Sequence, residues 1–92
     1  MKFEWDAEKA ALNLRKHGVA FEDAVLVFND LCRMEYHDGR EDYGEDRWVT
    51  TGFVFSLLLS VAYTVRDEET IRIISARKAD HHEKKQYRDA NP

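Results

Sequence analysis

Arg66, Arg72, Arg77 and Lys78 are the residues of this 92-residue chain whose types and spacing point most directly to chemistry. Arg66 precedes the acidic run Asp67–Glu69 and Arg72 follows it; Arg77 and Lys78 close the apolar stretch that begins at Ile71. If "TIRIISAR" is a strand folded back on the one before it, the four cations are expected to converge on one rim of a sheet. Cations held close repel, and an anion is the usual relief. Guanidinium groups suit a phosphodiester. A solvated surface with Asp67, Glu68 and Glu69 as partners is the competing description. The residues alone leave both open.

His81 and His82 follow at once. Adjacent helix positions point about 100° apart, and "HHEKK" lacks the H-E-x-x-H spacing that places two imidazoles on one ion, so no metal is expected. An imidazole can move a proton near neutral pH; either histidine can equally be a polar helix surface. Glu83 and Tyr87 stand at i and i+4 and share a helix face. Glu83 can act as a base or orient an arginine. Tyr87 can anchor the helix, donate a proton or stack on a nucleobase. Lys84 and Lys85 add positive charge. Lys16 and His17 end an earlier helix, where cations oppose the negative end of the dipole, and can extend an RNA-binding surface. No Gly-rich nucleotide cradle and no Ser/His/Asp or Cys/His arrangement stands out. The lone Cys32 reads as a small buried hydrophobe and fits a reducing compartment.

Charge is unevenly spread. Met1–Ile71 holds 8 Lys/Arg against 15 Asp/Glu, a balance of −7, whereas Arg72–Pro92 holds 6 against 3, a balance of +3. Nucleic-acid binding needs a local basic patch rather than a basic protein. With 43% hydrophobic and 12% aromatic residues, the chain suffices for one small domain over residues 1–92. The apolar run Phe53–Ala62 is too short to span a bilayer, and no secretory leader is read at Met1–Asp6. These observations predict a cytoplasmic protein without a membrane.

The elements that must position these residues follow from periodicity. "KFEW" alternates as a short strand, and Asp6 suits an N-cap. Ala7, Ala10, Ala11 and Leu14 mark one helix face, with Gly18 as its stop. Phe21, Ala24, Val25 and Phe28 mark a second helix. Strands are expected at "CRMEYH", "RWVTTGF", "SLLLSVAYTVR" and "TIRIISAR", with a polar turn over Asp38–Asp46 and a last helix at "ADHHEKKQYRDA". Trp5, Phe3, Phe21, Phe28 and Trp48 are expected in the core. Phe53 and Phe55, near a hairpin tip, suggest a protein interface. The order β-α-α-β-β-β-β-α, with short turns between consecutive strands, predicts an α+β fold with an antiparallel sheet, an N-terminal helical pair and a C-terminal helix.

The segments "FEWDAEKAALNLRKHGVAFEDAVLVF", "DRWVTTG" and "IRIISARKADHHEKKQY" together resemble the BrnT family of bacterial toxins, in the same order along nearly the whole chain. The resemblance implies a RelE-like fold and a ribonuclease toxin of a type II toxin–antitoxin module. It implies neutralisation by a BrnA-like antitoxin, and DNA contact only through the antitoxin complex. It also implies metal-independent cleavage without cofactors, by attack of the RNA 2'-OH on the adjacent phosphate. Arg66, Arg72 and Arg77 would then bind phosphate, assisted by Lys78. Glu83 or His82 would act as base, and Tyr87 or His81 as acid. The alternative is a non-catalytic module whose basic rim docks an acidic protein or RNA.

Overall fold

A computed structural model describes residues 1–39 and 45–92. The chain runs β1 (Lys2–Glu4), α1 (Ala7–His17), α2 (Phe21–Ala24), a 3-10 helix (Val25–Asn29), β2 (Met34–Asp38), β3 (Arg47–Val54), β4 (Leu57–Arg66), β5 (Thr70–Lys78) and α3 (His81–Ala90). Of the polar turn expected over Asp38–Asp46, residues 40–44 lie outside the described residues.

Helix α1 begins and ends as its sequence predicts. The Asp6 carboxylate accepts from the Glu8 and Lys9 N–H groups at 2.9 and 3.0 Å, and Gly18 closes the helix at φ +70°, a conformation glycine adopts without steric penalty. Its inward face differs from expectation. Asn13 is buried with Ala10 and His17 partly so, while Leu14 is half exposed. The second helix is also not the continuous one expected. After one α-turn it tightens to 3-10, and Phe21, Ala24 and Val27 are fully buried. Their three-residue recurrence is the 3-10 period.

The sheet order is β1-β5-β4-β3-β2. It is mixed rather than wholly antiparallel, because β1 pairs with β5 in parallel through Phe3↔Ile71 and Glu4↔Arg72. Strand alternation then separates two faces. Leu59, Val61, Tyr63, Ile71, Ile73 and Ala76 turn toward α1, α2 and the 3-10 helix and form the main core. Leu58 points to the opposite face, where it joins Ala79, Tyr87 and Met34 under α3. Cys32 lies exposed rather than buried. Among the described residues no helix is long and apolar enough to cross a membrane.

The outer strands are short: β1 has 3 residues and β2 has 5, against 9 in β5 and 8 in β3. The longer strands therefore continue past their neighbours, and a buried backbone group left without a partner is costly. Two side chains complete the ladders. Beyond β1, buried Asn13 donates from Nδ2 to the Ala76 and Val19 carbonyls at 2.8 and 2.9 Å, and its Oδ1 accepts from the Ala76 N–H at 3.1 Å. Beyond β2, Asp30 Oδ2 accepts from the Phe53 N–H at 2.8 Å and from the Tyr87 hydroxyl at 2.7 Å, while Oδ1 accepts from the Cys32 N–H at 2.8 Å. Asp30 thus ties β3, α3 and its own turn together.

Two predictions arise here. A Cβ on Gly52 would lie 3.0 Å from Arg33 Cβ and 3.1 Å from Asp30 Oδ2, so Gly52→Ala should destabilise the fold by about 1–3 kcal/mol through overpacking, read as a lower denaturant midpoint. The second concerns acid. Burial raises the Asp30 pKa, but hydrogen bonds from Phe53, Tyr87 and Cys32 and the Arg33 charge outweigh it, and the net direction is down. The folded state then binds fewer protons than the unfolded one. Its stabilisation is complete above the ordinary carboxyl value near 4 and is lost as pH falls through the lower folded value. Asp30→Asn should start less stable at pH 7, yet lose less of its remaining stability between pH 5 and pH 2. Equal acid slopes for the two proteins would contradict the assignment.

Candidate active site

The sheet face opposite the main core carries an open groove of about 640 Å³, closed at one end by α3. Tyr36 from β2, Arg47 from β3, Ser60 from β4, Arg77 from β5, and His82 and Glu83 from the first turn of α3 line it. The centre of its polar chemistry is an ion pair. Arg77 Nη1 and Nη2 donate to Glu83 Oε1 and Oε2 at 2.7 and 3.1 Å, a two-point fork. Arg77 Nη1 also reaches the Lys78 carbonyl at 3.3 Å.

Glu83 is fixed from several sides. Its Oε1 accepts from the Asp80 N–H at 2.9 Å, while Asp80 Oδ1 accepts from the Glu83 N–H at 2.9 Å. This capping box starts α3 and aims the carboxylate back at β5. Ser60, near Glu83, helps hold its pKa down, and Thr51 Oγ1 lies 2.7 Å from Ser60 Oγ. Burial raises the Glu83 pKa, but the Arg77 and Asp80 bonds and the Arg77 charge bring it below the ordinary value. The Glu83 bond in turn raises the Arg77 pKa.

The pair is asymmetric in exposure. The Arg77 side chain is 42% exposed and that of Glu83 is 6%. Glu83 holds one edge of the guanidinium, and N–H groups on Nη2 and Nε remain uncommitted among the described residues. The arrangement presents a preoriented cation to an anion in the groove, which His82 also lines. Among the described residues no group of three or more His, Cys, Asp and Glu side chains is placed to hold a metal ion.

Residues 5–83 match the family described as "Ribonuclease toxin, BrnT, of type II toxin-antitoxin system". The chain belongs to the BrnT family. A 1.1 Å crystal structure of the Brucella abortus ribonuclease toxin BrnT superposes with a TM-score of 0.65 at 24% identity, covering 88% of this chain and 99% of that one, and this likeness shows a shared fold. No curated protein matches the sequence. Membership in a BrnT family of type II toxins implies an antitoxin protein as partner.

Within this BrnT-family fold the expected basic rim is divided. Arg77 and Lys78 stand at one end of β5. Arg72 is five residues away, about 17 Å along a strand, and pairs with Glu4 at 2.6 Å. Arg66 lies at that far end too, 3.6 Å from Glu45. The four cations do not converge, because β5 is long enough to keep its arginines at opposite ends. His82 lines the groove and His81 is not among its walls, as expected for neighbours on a helix. Lys78 and Lys84 line a second, smaller pocket on the other side of α3, and Lys85 pairs with Asp89 at 2.7 Å. Lys16 and His17 border a depression at the end of α1 with Ile74 and Ser75, which also line the groove. Tyr87 is buried outside the groove. Desolvation and the bond to Asp30 push its pKa to about 12, so the geometry makes it an anchor for α3 rather than a proton donor.

Asn13, Asp30, Arg47, Tyr36 and Ser60 were not among the candidate site residues read from the sequence. A signal existed for Asn13: it falls at i+3 from Ala10 and i−4 from His17, an inward position on a helix that a polar residue occupies only with buried partners.

Proposed function

We propose that the chain is an endoribonuclease toxin of RelE-like, metal-independent type, acting in the cytoplasm, inhibiting translation, and neutralised by a BrnA-like antitoxin through which alone it contacts DNA. The observation that carries the catalytic reading is the Arg77 guanidinium, preoriented by buried Glu83 in a groove that His82 also lines, in a chain of a ribonuclease toxin family.

In this reading Arg77 binds the scissile phosphate and stabilises the charge that grows on its oxygens. His82 takes the proton from the 2'-OH as O2' attacks phosphorus. The P–O5' bond breaks, and O5' leaves with a proton from Tyr36, the phenol on the groove wall near Arg77. The products are a 2',3'-cyclic phosphate and a 5'-hydroxyl. Glu83, ionised and fully engaged, positions Arg77 and takes no proton. Lys16 and His17, across the edge of β5 from the groove, extend the RNA surface.

Growth tests the reading. Expression of the chain alone should arrest growth, and co-expression of the adjacent antitoxin gene should restore it. Arg72→Ala, which removes a cation paired to Glu4 far from the groove, should still arrest growth. Normal growth on expression of soluble wild-type chain would refute the toxin reading, and loss of arrest in Arg72→Ala would refute the placement of the site.

A further inference from the structure

The tip of the β3–β4 hairpin combines a positive φ with exposed apolar side chains, whereas the positive-φ residues of the β4–β5 turn, Asp67 and Glu68, are acidic. Val54 pairs with Leu57, so Phe55 and Ser56 form a two-residue loop. Such a loop requires positive φ at its first position, where glycine is the usual choice. Phe55 occupies it at φ +56°, a conformation that is sterically unfavourable for a residue with a Cβ. The ring gains nothing within the fold in return, since Phe55 is 85% exposed; Phe53 and Leu57 on either side are 46% and 50% exposed. An apolar knuckle held out in water by a strained turn marks a contact surface rather than a packing element.

Beside the knuckle lies a pocket of about 240 Å³ with a floor of Phe53, Leu58 and Tyr87. Its rim carries Lys78, Lys84 and Arg88, and among the described residues no carboxylate lines it, in a chain whose formal net charge is −4. Helix α3 separates this pocket from the groove: His82 and Glu83 face one, Lys84 and Arg88 the other. An aromatic anchor beside a fillable pocket with a single-sign rim selects its partner by shape and by charge.

We propose that the Phe53–Phe55–Leu57 knuckle and the pocket rimmed by Lys78, Lys84 and Arg88 are the docking site for a segment of the antitoxin protein bearing apolar side chains flanked by carboxylates. The partner's identity as an antitoxin rests on the proposed toxin reading. Docking here leaves the groove's walls free, since α3 stands between the pocket and the groove.

The test uses the full chain and the purified protein encoded by the adjacent antitoxin gene, titrated by calorimetry. Phe55→Gly relaxes the turn while removing the anchor, and Arg88→Glu reverses the rim charge. Each should weaken binding at least tenfold, and neither should change RNA cleavage by the free toxin. Wild-type affinity should fall as salt rises, and that of Arg88→Glu less steeply. Affinities of both variants within twofold of wild type would overturn the proposal. So would no binding to wild type, self-association of wild type that Phe55→Gly abolishes, or weakened RNA cleavage in Phe55→Gly, which would assign the knuckle to a second copy or to RNA. If wild-type protein cleaved no RNA while Phe55→Gly still lost antitoxin binding, the catalytic reading would fail and the docking site would stand.

Discussion

Arg77→Ala is expected to lower the rate of RNA cleavage by about 10²–10³-fold, the loss seen when one preorganised donor to a developing oxyanion is removed. Arg77 is the cation whose orientation the groove controls, through the fork to Glu83 at 2.7 and 3.1 Å. Deleting it also strands a buried carboxylate, so a folding defect must be separated from a catalytic one. Arg77→Lys serves that purpose. It keeps a positive charge against Glu83 but cannot reproduce a planar two-point contact, and should remain folded by circular dichroism while losing at least tenfold in rate. Glu83→Gln should fall between wild type and Arg77→Ala, because the amide still accepts one bond from Arg77 and loses the charge. Rates for Arg77→Ala and Arg77→Lys within threefold of wild type would remove Arg77 from the chemistry.

The largest stability effect is expected at Asn13. Asn13→Ala leaves the Ala76 N–H, the Ala76 carbonyl and the Val19 carbonyl without the partner that bonds them. Each orphaned buried group costs about 1–3 kcal/mol, and with partial relaxation the total should be about 3 kcal/mol. At about 4–8 °C per kcal/mol for a domain of this size, Tm should drop by about 15 °C. Asn13→Asp should be no better, because an oxygen in place of Nδ2 would face two carbonyl oxygens. The loss should also reach the site, since Ala76 precedes Arg77 on β5. A Tm change below about 3 °C for Asn13→Ala would show that the open edge of β5 is completed in another way.

Capping and strand signals were legible, whereas long-range pairings and one local change of helical period were not. Asp6 and Gly18 bounded α1, and alternation over Leu57–Val65 marked β4, because capping and burial act through near neighbours. The parallel pairing of β1 with β5 joins residues 68 apart in sequence, such as Lys2 with Thr70, and no spacing in the chain announces it. The tightening to 3-10 after Ala24 was hidden because apolar residues at 21, 24, 25, 27 and 28 satisfy either period. At the site, the concentration of positive charge beyond Ile71 was visible, but a count of charges carries no distances. It merged Arg66 and Arg72 with Arg77, which the length of β5 separates. It also left Glu83 open as base or orienter, a choice that depends on a fork and a capping box formed only when α3 folds back on β5. Tyr87 shared a helix face with Glu83 as spacing required, yet its hydroxyl is committed to Asp30, 57 residues away.

Incubation of RNA with the purified chain in EDTA, followed by analysis of the new ends, tests the central claim most directly. Attack by the 2'-OH, with Arg77 as the cation on the phosphate, predicts cleavage that persists in EDTA, leaves 2',3'-cyclic phosphate and 5'-hydroxyl ends, and is lost in Arg77→Ala. Cleavage that EDTA abolishes, or that leaves 3'-hydroxyl and 5'-phosphate ends, would contradict it.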